Sequence, residues 1–105
     1  PADAWGRARV RSLAHIIALD VHPLNNLRIL KHLETEYGVD ADGKAAWFRK
    51  WAQAGMDSLE ARLSSEAETG SFCHGDTPGL ADLCLFAQVL NNGRATLGAA
   101  NPEAS

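Results

Sequence analysis

Asp20-Val21-His22-Pro23-Leu24-Asn25-Asn26-Leu27-Arg28 is the stretch on which the reading of this chain turns. It sets an imidazole, two amides and a guanidinium within two helical turns of a proline. Such polar density is costly in an apolar layer unless it is hydrogen-bonded. Its flanks are apolar, with Ile16, Ile17, Leu19 and Val21 before it and Ile29, Leu30 and Leu33 after it. The polar cluster therefore stands at the end of an apolar stripe, where a pocket would be lined. Pro23 removes a backbone donor and disturbs the turn before it, so the carbonyls around Leu19 and the amides of Asn25 and Asn26 become candidates to bind a ligand. On the residues alone, the run is more often a capped kink than a ligand site, since Asn is common at helix ends and breaks.

Working outward, Asp3 is placed to cap a first helix that carries Trp5, Ala8, Val10, Leu13, Ile16 and Ile17 at helical spacing and is expected to reach about Val21. After Pro23 the pattern resumes through Leu24, Leu27, Leu30 and Leu33 to Tyr37, with Gly38 as a stop, so that the two segments can form one kinked rod. Val39 to Gly43 is a short acidic turn in which Asp42 is expected to cap a third helix. That helix carries Ala46, Trp47, Trp51, Ala54, Leu59 and Leu63 and packs along the first two. Ser64 to Ser71 reads as a surface loop, and Phe72-Cys73 returns to the core.

The segment from His74 to Asp82 is dense in helix-start signals, and two frames compete for it. In one, Thr77 is the cap and Pro78 the first residue. In the other, Gly79 is the cap and Asp82 reaches back to its amide, which spares Asp82 from standing as a bare carboxylate on a buried helix. The second is preferred. The helix that follows, with Leu83, Leu85, Phe86, Val89 and Leu90, is apolar nearly all round and is expected to be the central, most buried one. No strand pattern or internal repeat is found, and the tail from Ala95 onward is small, polar and loose.

Composition limits what such a bundle can do. The 105 residues make one domain, and 46% apolar with 22% charged residues is the balance of a folded globular chain. A net charge of -3 argues against a nucleic-acid footprint, and Arg7, Arg9 and Arg11 read as a solvated helix face. No apolar run approaches the roughly 20 residues of a membrane span and no signal segment is evident, so a cytoplasmic location is expected. Cys73 and Cys84 fit neither a zinc pattern nor a disulfide framework and read as reduced core residues. His15 and His32 read as exposed or satisfied singles and His74 as structural, with no metal-ligand spacing among them. Trp47 and Trp51, four apart and flanked by only Arg49 and Lys50, read as a packing stripe rather than a platform for stacked bases.

The run from Asp20 to Leu30, taken with Phe72-Cys73-His74-Gly75-Asp76-Thr77-Pro78 and Leu80-Ala81-Asp82-Leu83-Cys84-Leu85, resembles the zeta class of glutathione transferases. That class includes the maleylacetoacetate and maleylpyruvate isomerases. The resemblance covers Pro1 to about Arg94 and implies an all-α fold, a glutathione-transferase C-terminal-like helical bundle truncated at its C-terminal end. Residues 1–94 would be that domain and 95–105 a divergent tail, and the family's N-terminal thioredoxin-like domain is absent from this chain. Where Gly79 stands the family usually has Ser or Thr, which reduces the cap to its Asp82 half.

The resemblance implies that His22, Asn26, Arg28 and Arg94 contact glutathione or the carboxylates of the substrate. It implies no metal and no catalytic nucleophile from this domain. His22 and Asn26, four apart, share a helix face if the helix continues through Pro23, but ideal spacing turns Arg28 away from that face. Either the backbone leaves the regular helix near Asn25 and Asn26, or Arg28 points at a neighbouring subunit. The implied function is the substrate-side domain of a glutathione-dependent cis-trans isomerase of maleylpyruvate or maleylacetoacetate. Glutathione would be its cofactor, a small dicarboxylate its substrate, and a homodimer its intact state, with no nucleic-acid or membrane partner. The chain alone would be inactive. The alternatives are a non-catalytic transferase-like module for interaction or dimerisation, and a helical nucleic-acid binder using Arg7, Arg9 and Arg11.

Overall fold

The computed structural model describes the backbone of residues 1–100 and the side chains of residues 1–93, and every described long element is a helix. Helix α1 spans Ala4–His15, a π-helical turn spans Ile16–Val21, and α2 is the short His22–Leu24. Helices α3 (Leu27–Tyr37), α4 (Ala41–Ser65) and α5 (Leu80–Ala100) follow. Of the tail expected from Ala95 onward, the backbone to Ala100 continues α5, and residues 101–105 lie outside the described residues.

Local chemistry sets most of these ends. Asp3 caps α1, its carboxylate accepting from the Gly6 amide at 2.8 Å. Gly38 ends α3 at φ 65°, a left-handed turn that glycine enters without penalty, and donates to the Glu34 carbonyl at 3.1 Å. Helix α4 is capped by Asp40, not by Asp42: the Asp40 carboxylate accepts from Gly43 N–H at 2.8 Å. Asp42 sits instead in the first turn, where a negative charge favours the positive end of the helix dipole. The expected kinked rod is in fact broken twice, by the π turn before Pro23 and by a non-helical joint at Asn25 and Asn26.

The core gathers around the inner face of α1 and the π turn, where Val10, Leu13 and Ile17 meet Leu59 of α4, Cys73 of the following loop and Ala81 of α5. Trp47 and Trp51 pack edge to face on α4 with ring centroids 5.9 Å apart. Helix α5 departs from its expected place as the most buried element. Ala81 and Gln88 are buried, but Leu83 is 68% and Phe86 71% exposed, and Leu80, Val89 and Leu90 are exposed as well. Among the described residues α5 meets α1, the π turn and α4 through a face that includes Ala81 and Gln88, and the apolar side chains of Leu80, Leu83, Phe86, Val89 and Leu90 are left uncovered.

Between α4 and α5 the chain is held by two polar centres. At the first, Asp82 accepts from the Gly79 amide at 2.8 Å, as the Gly79 frame predicts, and also from the Cys73 amide at 2.9 Å, which that frame does not foresee. Burial raises the Asp82 pKa, but these hydrogen bonds outweigh it and leave the carboxyl below its ordinary value. Burial, followed by the neighbouring Asp82 carboxylate, pushes the Cys73 thiol up to about 11. Asp82→Ala strands both amides and is expected to cost about 2 kcal/mol of stability, read in urea unfolding. Cys73 is expected to resist alkylation at pH 8 in the native chain and to react in the variant under partially destabilising urea. Equal unfolding midpoints would contradict this role for Asp82.

Arg9 makes the second centre and corrects the reading of Arg7, Arg9 and Arg11 as a solvated face. Arg7 and Arg11 are exposed, but the Arg9 side chain is largely covered. Its Nε lies 2.6 Å from Glu66, its Nη1 donates to the Cys73 carbonyl at 2.7 Å and lies 3.0 Å from His74 Nδ1, and its Nη2 donates to Thr69 at 2.9 Å. Arg62 holds the other oxygen of Glu66 at 2.8 Å and donates to Ser12 at 2.7 Å. The loop is thereby tied to α1, and His74 is structural, as expected from its position.

Hydrogen bonds from Arg62 and then Arg9 hold the Glu66 carboxyl down at about 2, against an ordinary 4.5. A depressed folded pKa contributes stability that is fully present above pH 4.5 and is lost as pH falls towards 2. The melting temperature of the wild type is therefore expected to fall more steeply than that of Glu66→Gln over this acid range. Parallel profiles would remove Glu66 from the acid response.

Candidate functional site

Pro23 explains the shape of the segment that carries the candidate residues. A proline lacks the N–H that would close a helical turn, and its ring presses on the carbonyl four residues back, here Leu19. The chain meets both problems by widening the turn in front of it: over Ile16–Val21 it runs as a π helix, and the His22 amide donates to the Ile17 carbonyl, five residues back. Ala18, Leu19 and Asp20, on the far side of the widened turn, are exposed. The Asn25 amide, expected to be free, donates to Val21 at 3.1 Å.

The joint follows. Asn25 lies at φ -103°, ψ 13° and Asn26 at φ -63°, ψ 142°, so the helix stops and restarts there. Asn26 caps α3, its Oδ1 accepting from the Arg28 amide at 3.0 Å. Of the two alternatives the sequence leaves open for Arg28, the structure contains the first: the backbone leaves the regular helix at these asparagines.

His22 opens α2 and is exposed, Asn26 is half-buried at the joint, and Arg28 is exposed in the first turn of α3. The side chains of His22 and Arg28 have no hydrogen-bond or ion-pair partner among the described residues. The three thus cluster along one break of the chain and face solvent, with the imidazole and the guanidinium uncommitted. The Arg94 side chain lies outside the described residues.

Beside the joint, one cavity of about 280 Å³ is walled by Asp20, Val21 and Leu24 against Trp51, Gly55 and Ser58. Another of about 370 Å³ is walled by Leu27, Leu30 and Lys31 against Lys44 and Phe48. Neither is lined by His22, Asn26 or Arg28. At the joint Val21 and Asn25 are buried and Leu24 is half-buried, whereas His22, Leu27 and Arg28 are exposed. Among the described residues, no group of three or more His, Cys, Asp or Glu could hold a metal ion. Among them, no helix is long and apolar enough to cross a membrane.

Two residues to which the sequence reading gives other roles, Asn25 as a free amide and Trp47 as part of a packing stripe, hold the joint. Asn25 is only 6% exposed and its Nδ2 donates to the Phe48 carbonyl at 3.0 Å, while the Trp47 indole N–H donates to the Leu24 carbonyl at 2.8 Å. Asn25 Oδ1 is buried without a partner among the described residues. The available signal was the doubled asparagine: one suffices for the cap, which leaves the other to be explained.

No family model matches the chain. Over 89 residues it is 48% identical to the maleylpyruvate isomerase of Ralstonia sp, a match that covers 85% of this chain and 42% of that protein. The solved holo structure of a maleyl pyruvate isomerase, a bacterial zeta-class glutathione S-transferase, superposes with a TM-score of 0.88 at 46% identity, covering 91% of this chain and 45% of the other. The maleylacetoacetate isomerase of Methylobacterium extorquens AM1, solved with malonate and glutathione bound, gives a TM-score of 0.89 at 40% identity over 91% of this chain and 45% of that one. The chain spans less than half the length of these relatives.

Proposed function

Since the chain belongs to the zeta class of glutathione transferases, whose C-terminal part it matches, we propose that it is the substrate-side helical domain of a glutathione-dependent cis-trans isomerase acting on maleylpyruvate or maleylacetoacetate. The observation that carries this reading is the joint match in sequence and fold, 46% identity at a TM-score of 0.88, to a maleyl pyruvate isomerase. The uncovered apolar stripe of α5 supports the view that this domain works against further protein, because exposed patches of that kind mark interaction surfaces.

The residues at the joint suit an anionic, amide-bearing ligand such as glutathione or a dicarboxylate: among the described residues the side chains of Arg28 and His22 have no partner and Asn26 Nδ2 is left to donate. In this reading, glutathione, when bound, supplies the thiol that adds reversibly to the activated double bond, so that it can rotate as a single bond. Arg28 holds a carboxylate through two parallel hydrogen bonds and offsets negative charge that builds on oxygen. His22 and Asn26 orient the ligand by hydrogen bonds. Arg94 of α5 is assigned to the same ligand, and the intact enzyme is a homodimer.

The test is a chimera in which this chain replaces the matching part of the Ralstonia maleylpyruvate isomerase. Glutathione-dependent loss of maleylpyruvate is the expected result. A folded chimera that binds glutathione and does not turn the substrate over would refute the assignment.

A further inference from the structure

We propose that Trp47, together with Asn25, is a positioning residue of this site: it selects the broken joint over a continuous helix and so sets where Arg28 stands relative to His22. In a continuous α-helix the carbonyl of Leu24 would accept from the amide four residues on, that of Arg28. In the structure both groups have exchanged partners. The Arg28 amide donates to Asn26 Oδ1 at 3.0 Å, and the Leu24 carbonyl accepts instead from the Trp47 indole at 2.8 Å. The indole N–H of α4 thus replaces the backbone amide that the break removes.

Asn25 makes the reciprocal bond, donating to the carbonyl of Phe48, the residue after Trp47, at 3.0 Å. Two adjacent residues before the joint are therefore clamped to two adjacent residues of α4. The Asn26 cap favours the break locally, but the torsions of Asn25 and Asn26 lie in regions open to ordinary residues and either could close into a helix, so the contacts from α4 add to the cap in holding the joint open. Without the clamp the competing state is one helix through the joint. There His22 and Arg28, six residues apart, would stand roughly 120° apart around the axis.

The kinetic arm of the test rests on the assignment of Arg28 made above, and the structural arm does not. Trp47→Phe keeps a ring against Trp51 and removes the N–H together with the five-membered ring that carries it. In the chimera it is expected to raise KM for maleylpyruvate about tenfold, as for one lost hydrogen bond, with KM for glutathione changed far less. In the 105-residue chain, the ¹³Cα shifts of Asn25 and Asn26 are expected to move towards helical values.

Unchanged KM together with unchanged shifts would overturn the proposal, as would a lower melting temperature with both kept. If the wild-type chimera is inactive, the isomerase reading fails, and the shifts alone decide this one. Should Trp47→Phe not fold, Asn25→Ala, which removes the other half of the clamp, is read in the same way. Failure of both to fold would assign the pair a purely structural role and overturn it too.

Discussion

Gly55→Ala is expected to destabilise the chain by about 3 kcal/mol, the upper range for overpacking a well-filled core. Gly55 is buried on α4 where that helix crosses the π turn, and a Cβ built on it would run into Val21 Cγ2. Val21 offers no easy retreat. It is 1% exposed, its β-branched side chain has few rotamers in a helix, and its carbonyl is tied to the Asn25 amide. The widened turn would have to lift off α4, opening the cavity wall that Val21, Leu24 and Trp51 share. Urea unfolding followed by circular dichroism measures the loss. Gly79→Ser is the control: a Cβ there would touch nothing nearer than an Asp82 oxygen at 3.9 Å, and serine caps a helix slightly better than glycine. A midpoint for Gly55→Ala equal to that of the control would mean that the two helices do not approach as closely as described.

Arg28→Ala in the chimera is expected to lower kcat/KM for maleylpyruvate about 100-fold, the loss of a two-pronged, charge-assisted contact to a carboxylate. Arg28→Lys keeps the charge without the planar fork and should fall between the two. Neither change should disturb the fold, because the side chain is exposed and has no partner among the described residues. Melting temperatures are therefore expected to stay together while activities separate. Turnover by Arg28→Ala equal to that of the wild type would remove Arg28 from the site.

How far the sequence could be read follows from the reach of each interaction. Asp3, Gly38 and the Gly79 to Asp82 pair act within a turn or so of chain, and their letters state their roles. Asp40 and Asp42 are equally good caps on paper, and the choice between them depends on where the loop after Gly38 releases the chain. Arg9 was misplaced because its partners Glu66, Thr69, Cys73 and His74 lie 57 to 65 positions away. Periodicity identified α5 as apolar but not what covers it, which is a property of the surroundings. The candidate residues His22, Asn26 and Arg28 were legible as a cluster, since polar letters beside a proline stand out. Their direction was not, because it depends on bonds from Trp47 and to Phe48 that no spacing rule reports.

The π turn at Ile16–Val21 also says where this chain can change length. Elsewhere in a packed helix, losing one residue swings everything beyond it by roughly 100° and takes its inner face out of the core. A π bulge behaves as the opposite of such a defect, a spare residue stored between two stretches that already face correctly. Excising Leu19 from the exposed arc would convert the bulge to ordinary winding and leave both neighbours aligned, at the cost of setting the Pro23 ring back against the carbonyl four residues before it, whereas the same excision four residues earlier would also turn the inner face out of the core.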